Sequence, residues 1–190
     1  MIYDFLQTDK SERYKLISDV VVPRPIAWIV TQDEGIINIA PFSFFTALSS
    51  EPPTVMVSIG HKSDNSPKDT LYNLRKNKKC VICSVKEEDL RAMHFSSEPL
   101  AKGESEAKKF NIETEKILEN FPPMIKSAPS AMFCTLLQEV ELEGSKTLPI
   151  FLKIEQMYVD EKYKKHLLAR VGKAYASYSK DILAPTIPKI

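Results

Sequence analysis

The stretch from Asn38 to Thr46 constrains the fold of this chain more than any other. A run of β-branched residues that begins at Ile36 leads into it and predicts a β-strand. Pro41 interrupts that strand, because proline has no backbone N–H to give to a central ladder. We therefore expect the chain to run here along a sheet edge, through a bulge or at a strand end.

The same stretch mixes aromatic rings with small hydroxyl groups. Ser43 and Thr46 lie among three phenylalanines, Phe42, Phe44 and Phe45. Hydroxyl donors set in an aromatic wall suit a flat, partly apolar ligand with a polar tail. A buried strand corner, whose hydroxyls are satisfied inside the protein, is the alternative that the stretch leaves open.

Chain length and net charge limit the classes of protein to which this sequence can belong. A chain of 190 residues is long enough to bury a core without disulfides or metals, and we expect one domain over residues 1–190. With 26 basic and 25 acidic residues, its net charge of +1 offers no overall field for nucleic acid or an anionic membrane. Asp4, Asp9 and Lys10 interrupt any apolar core of a secretory signal, so we expect a cytoplasmic protein.

The sequence contains no pattern typical of a metal or dinucleotide site. Cys80 and Cys83 form a C-x-x-C spacing inside a β-type run, where residues three apart face opposite sides of a sheet. We therefore expect packing there rather than a shared metal or a redox disulfide. The histidines at 61, 94 and 166 lack metal-ligand spacing, and none of the five glycines forms G-x-G-x-x-G or a P-loop.

Hydrophobic periodicity predicts a mainly β chain. Strands are expected at 20–31, 54–60, 80–85, 134–142 and 150–159, with a hairpin turn at 32–35. Short charged helices are expected to begin at Glu87 and to cover 104–110 and 113–120.

Residues 66–70 are typical of the start of a helix. Ser66 is the expected N-cap, Pro67 falls in the first turn and Asp69 takes the capping-box position. Lys68 and Thr70 then lie where free backbone N–H groups and the helix dipole favour an anion. A well-capped surface helix without a ligand is the alternative.

Four motifs together resemble those of a known family. They are Arg24-Pro-Ile-Ala-Trp28, Asn38-Ile-Ala-Pro-Phe-Ser-Phe-Phe-Thr46, Lys68-Asp-Thr70 with Asn73, and Arg170-Val-Gly-Lys-Ala-Tyr175. Their order and spacing, from about residue 20 to Tyr178, resemble the flavin reductase-like, flavoredoxin-type family of FMN-binding split barrels. Lys173 departs from the family pattern, in which glycine is common at that position.

The resemblance implies a homodimeric split β-barrel, mainly β with flanking helices, that holds FMN near the dimer interface. Asn38 to Pro41 and Ser43 to Thr46 would line the flavin, with backbone groups at the ring edge, and Lys68, Asp69 and Thr70 would lie at its phosphate. Arg24 and Tyr175 match by motif and would touch the ring, the phosphate or the second subunit. The implied cofactor-binding set is Arg24, Asn38, Ala40, Pro41, Ser43, Phe44, Phe45, Thr46, Lys68, Asp69, Thr70 and Tyr175.

The implied activity is that of an NAD(P)H-dependent flavin reductase, with catalytic residues unassigned. An electron-acceptor protein or a monooxygenase component would be its partner beside the second copy. Two alternatives stay open: a flavoredoxin-type FMN electron-transfer protein without turnover of free NAD(P)H, and a split barrel that binds haem or a metal instead. Retention of Lys68-Asp-Thr70 weighs against the second alternative, since without a phosphate that motif would have no ligand.

Overall fold

The computed structural model describes residues 1–101, 103–162 and 167–177, so His166 and Tyr178 lie outside the described ranges. The strands are β1 (Arg24–Pro25), β2 (Ala27–Asp33), β3 (Ile36–Phe42), β4 (Phe45–Ser50), β5 (Pro53–Gly60), β6 (Lys79–Cys83), β7 (Thr114–Glu115), β8 (Met124–Ile125), β9 (Ser130–Glu139), β10 (Thr147–Val159), β11 (Leu168–Val171) and β12 (Ala174–Ser177). The helices are α1 (Lys10–Val20), α2 (Asp69–Asn77), α3 (Leu90–Phe95) and α4 (Glu106–Lys109), with a 3-10 turn at Glu87–Asp89. Within these ranges no helix is long and apolar enough to cross a membrane.

The main sheet has seven strands in the order β3-β2-β6-β9-β10-β5-β4, and it is closed at one end. In a flat sheet with strands about 4.8 Å apart, β3 and β4 would lie roughly 29 Å from each other. Only Ser43 and Phe44 connect them, and three peptide links span at most about 11 Å. The sheet therefore curls until its two edges meet at these residues. We call this meeting point, Ser43 and Phe44 with the adjoining ends of β3 and β4, the seam.

The two faces of the sheet bury two separate clusters of apolar side chains. Cys80 belongs to the inner cluster with Leu71 and Leu74 of α2, whereas Cys83 belongs to the outer cluster with Trp28. This confirms that the two cysteines face opposite sides of the sheet. The inner cluster also joins Phe42 of β3 to strands near the other end of the sheet order, as closure of the sheet requires.

The outer cluster is covered by the segment between β6 and β9. Met93, Ile112, Phe121 and Met124 from this segment pack on the outer faces of β2, β6 and β9. The short strands β7 and β8 pair within it, and β1, β11 and β12 form a further small sheet. The segment places Ser105 and Glu106 against β3, beside the site described below.

The prediction that a strand begins at residue 20 was wrong. Val20 is the last residue of α1, and the first strand after it begins at Arg24. The N-cap of α1, Asp9, accepts hydrogen bonds from the N–H groups of Ser11 and Glu12 at 2.7 and 3.0 Å. The pair Asp9 and Glu12, three residues apart, has the spacing of a capping box and was the signal for this helix. The strand predictions for 54–60 and 150–159 and the hairpin at 32–35 are confirmed.

Two helix predictions also need correction. α2 begins at Asp69 with Lys68 as N-cap, because the Ser66 hydroxyl donates instead to Asp64 Oδ1 at 2.6 Å. Residues 113–120 contain only β7, with no helix. That segment offers Ile117 and Leu118 as its apolar side chains, and adjacent residues do not share a helix face, so pairing with β8 decides its conformation.

Candidate functional site

β3 lies at an edge of the main sheet. It pairs with β2 on one side only, and on the other side the carbonyl oxygen of Ile37 accepts from Ser105 Oγ while the Ile39 N–H donates to Glu106 Oε2 at 2.9 Å. Backbone groups alternate along a strand, so Pro41 also directs its nitrogen outward, where no ladder bond is lost. The prediction of an edge position for Pro41 is confirmed. By the same alternation, the carbonyl oxygens of Ile39 and Pro41 point outward as acceptors.

A cavity of about 440 Å³ lies beside this edge. Its volume is in the range of small-molecule sites. The cavity brings together five of the predicted residues, namely Asn38 and Ala40 of β3 with Lys68, Asp69 and Thr70 at the start of α2. Its other walls are residues 61–64, after β5, and residues 96–100, after α3, together with Glu106.

The start of α2 has features that favour an anion. Its first backbone N–H groups lack helical partners, and the helix dipole adds partial positive charge there. The carboxylate of Asp69 would oppose an anion, but Lys62 Nζ pairs with Asp69 Oδ1 at 2.8 Å and offsets much of that charge. The exposed Lys68 ammonium lies 5.7 Å from the ring centroid of Phe42 and borders the cavity.

The side chains of Asn38 and Thr70 are engaged inside the protein. Asn38 Oδ1 accepts from Thr70 Oγ1 at 3.0 Å and from Thr31 Oγ1 at 3.2 Å, while Asn73 Nδ2 donates to Thr31 Oγ1 at 3.0 Å. Asn38 Nδ2 donates to both carboxylate oxygens of Glu106, at 3.0 and 3.1 Å. This polar network forms part of the cavity wall and occupies the polar side-chain atoms of Asn38.

Glu106 is a site residue that sequence reasoning missed. Burial raises the pKa of its carboxyl group above the ordinary value, and the nearby Asp69 charge adds to the rise, whereas hydrogen bonds from the Ile39 N–H and the Asn38 amide oppose it. Its partners are 67 and 68 residues away in sequence, so no local pattern could have indicated them.

The predicted residues Ser43, Phe44, Phe45 and Thr46 lie at the seam, outside the lining of the cavity. Phe44 stacks on Tyr14 of α1, with ring centroids 6.0 Å apart and planes 19° apart. Its carbonyl oxygen accepts from the Ser58 N–H at 2.8 Å. Thus the motif from Asn38 to Thr46 begins at the cavity and ends at the seam.

Arg24 is buried with half of its guanidinium satisfied. Nη1 donates to the carbonyl oxygens of Ser18 and Val21, at 2.6 and 2.8 Å, and so caps the end of α1. Nε and Nη2 are buried and have no hydrogen-bond partner within the part of the chain that the structure describes. In arginine side chains these two N–H groups form the edge that can bind a carboxylate or a phosphate in bidentate fashion.

Tyr175 does not line the cavity but contacts α3, which precedes the wall residues 96–100. Its hydroxyl bonds to His94 Nδ1 at 3.0 Å, and the Arg170 guanidinium carbon lies 4.6 Å from its ring centroid. The wall residue Ser96 follows shortly after His94 and accepts from Trp28 Nε1 at 2.9 Å. Residues 61–64 and 96–100 were not predicted as site residues, because these loops carry no periodic or motif signal.

Comparison with known proteins agrees with this architecture. The flavin reductase like domain family matches residues 20–178. An uncharacterized protein of Aquifex aeolicus is 34% identical over 180 residues, which cover 89% of this chain and 91% of that protein. Nitrilotriacetate monooxygenase component B from Bacillus cereus superposes with a TM-score of 0.90 at 23% identity, over 97% of this chain and 98% of that one. The FMN-binding protein from Thermus thermophilus superposes with a TM-score of 0.75 at 19% identity, over 88% and 93% of the two chains.

The family match covers most of the chain, including the free edge of β3, the seam and the start of α2. The structural matches show the fold alone, and they agree with the curled sheet described above. The chain therefore belongs to the flavin reductase like domain family and has the split-barrel fold.

Proposed function

We propose that the protein binds FMN between β3 and α2 and acts as an NAD(P)H-dependent flavin reductase. The observation that carries this proposal is that one cavity lies between the edge strand β3 and the start of α2, beside Lys68. FMN has a flat ring whose edge needs backbone partners and a phosphate that needs positive charge. The names of the matched family and of the Thermus thermophilus neighbour support a flavin as the ligand.

The described residues fit the two ends of FMN. Asn38 and Ala40 line the cavity on β3, and the outward carbonyl oxygens of Ile39 and Pro41 would accept from the ring edge. The hydroxyl and aromatic residues Ser43, Phe44, Phe45 and Thr46 continue this wall to the seam. Lys68, Asp69 and Thr70 offer the first N–H groups of α2 and one ammonium to the phosphate. Charge-assisted hydrogen bonds of this kind are the stronger ones in proteins.

Bound FMN would accept a hydride from reduced nicotinamide and pass electrons to an acceptor. The protein's part is to bind and orient the ring along β3 and to hold its phosphate. Because the chain has no dinucleotide fingerprint, we expect the nicotinamide to stack transiently on an open face of the site, which the acceptor then uses in turn. This predicts ping-pong kinetics when FMN stays bound.

A second copy of the chain completes the site in this proposal. Apolar side chains are exposed at the end of α1, at Val20 and Val21, and on the edge strand β4, at Leu48. Exposed apolar side chains such as these would be buried by an interface between two copies. Nε and Nη2 of Arg24 would donate to an acceptor on the flavin or on the second copy. Tyr175, through its hydrogen bond to His94, would support the cavity wall formed by residues 96–100.

The name of the Bacillus cereus neighbour supports a further partner. That protein is a monooxygenase component, so we propose that electrons pass from this protein to a monooxygenase component or another electron-acceptor protein in the cytoplasm.

Anaerobic mixing with NADH and with NADPH tests the reductase activity. We expect one or both to bleach the absorption band of bound FMN within minutes. If neither does while a chemical reductant bleaches it, the reductase function fails and an electron carrier of the flavoredoxin type explains the site better.

A further inference from the structure

Glu106 connects the two walls of the proposed flavin site. Its carboxylate receives the Asn38 amide and the Ile39 N–H, and Asn38 Oδ1 in turn receives the Thr70 hydroxyl at 3.0 Å. A continuous line of buried hydrogen bonds thus runs from α4 through β3 to the first turn of α2. Glu106 is only 5% exposed and borders the cavity.

The Glu106 carboxylate determines which group donates and which accepts in each of these hydrogen bonds. A carboxylate only accepts, so the Asn38 NH₂ must face Glu106 and the Asn38 oxygen must face the two threonine hydroxyls. Ser105, the residue before Glu106, also bonds to the β3 edge through Ile37. α4 has four residues, too few for a stable isolated helix, so these contacts hold it in place.

We propose that Glu106 is a positioning residue of the flavin site, one that sets the spacing between the β3 edge and the start of α2 by fixing the amide of Asn38. This inference rests on the proposed binding of FMN across these two walls. A ligand that contacts both β3 and the start of α2 depends on the distance between these two elements. A ligand that contacts β3 alone does not. FMN is of the first kind and riboflavin, which lacks the phosphate, is of the second.

The chemistry allows the bond direction to be reversed. In Glu106→Gln the amide oxygen keeps the Ile39 N–H, and the NH₂ group takes the place of the oxygen that lies 3.0 Å from Asn38 Nδ2, so one of the two contacts to the Asn38 amide becomes donor against donor. Asn38→Asp places two carboxylates face to face, so each change alone leaves the pair mismatched. In the double variant N38D/E106Q, the new amide at position 106 donates to the new carboxylate at position 38. The threonine hydroxyls still find an acceptor at position 38, and the amide oxygen at position 106 still receives the Ile39 N–H. The double variant should therefore restore the spacing.

Fluorescence titrations with FMN and riboflavin test this, with thermal unfolding as a check on folding. We expect each single variant to weaken FMN by about tenfold, to weaken riboflavin less, and the double variant to return within about threefold of the native affinity. Glu113→Gln, which also removes one acidic charge but pairs with Lys126 away from the cavity, should bind FMN as the native protein does.

Native FMN affinity in E106Q would overturn the role of Glu106, and so would a loss in the double variant equal to the product of the single losses. If E106Q does not fold, the double variant decides: near-native FMN affinity supports the inference, and a folded double variant that no longer binds FMN overturns it. Failure of the native protein to bind FMN would overturn the proposed function itself, and this inference with it.

Discussion

The proposed phosphate position at the start of α2 gives the sharpest prediction. Lys68→Ala removes the exposed ammonium that borders the cavity beside the first turn of α2. A hydrogen bond to a charged group contributes about 1.5–3 kcal/mol, which corresponds to roughly tenfold to 150-fold in affinity. Because Lys68 is exposed, we expect the lower end, a loss of about tenfold for FMN. Riboflavin should bind as before, since it has no phosphate for Lys68 to contact.

Quenching of flavin fluorescence on titration measures both affinities with the same protein. Lys126→Ala is the matched control, because Lys126 is exposed and paired with Glu113 outside the cavity lining. It removes one positive charge of the molecule and should leave both affinities unchanged. Equal losses of FMN and riboflavin in Lys68→Ala would refute the placement of the phosphate at α2.

Three other predictions concern the wall, the cysteines and the assembly. Ser96→Ala leaves the indole N–H of the fully buried Trp28 without its 2.9 Å partner, so urea denaturation should show a loss of about 1–3 kcal/mol, and an unchanged stability would contradict that bond. Burial raises the pKa of the Cys83 thiol to about 12, and a hydrogen bond with Cys134 together with burial raises the pKa of the Cys80 thiol. All three cysteines are buried, so a thiol reagent should react with none in the native protein and with three after unfolding. Light scattering should give a particle of twice the 21.6 kDa chain mass, and a monomer that binds FMN tightly would show that one chain completes the site.

The parts of the fold that follow from local chemistry could be predicted from sequence. The missing N–H of Pro41 predicted an edge, a bulge or a strand end, and the structure shows an edge strand. The spacing of Cys80 and Cys83 required opposite faces of a strand. Both features depend only on the covalent structure of a residue and on the two-residue period of a strand.

The rest depends on contacts between distant parts of the chain. Ser66 was a reasonable N-cap by spacing, but Asp64 competes for its hydroxyl, and α2 begins at Asp69 instead. The motif from Asn38 to Thr46 is continuous in sequence, yet the curling of the sheet puts its two ends in different surroundings. Glu106 had no local signal at all, because its role arises only when α4 packs against the β3 edge.

The central claim is that the cavity between β3 and α2 is a flavin site. Titration of the native protein with FMN, followed by flavin fluorescence and by the visible absorption spectrum, tests it most directly. We predict saturable binding of one FMN per chain, with a shifted flavin spectrum and weaker binding of riboflavin. A native, folded protein that leaves the FMN spectrum and fluorescence unchanged at every concentration would contradict the account.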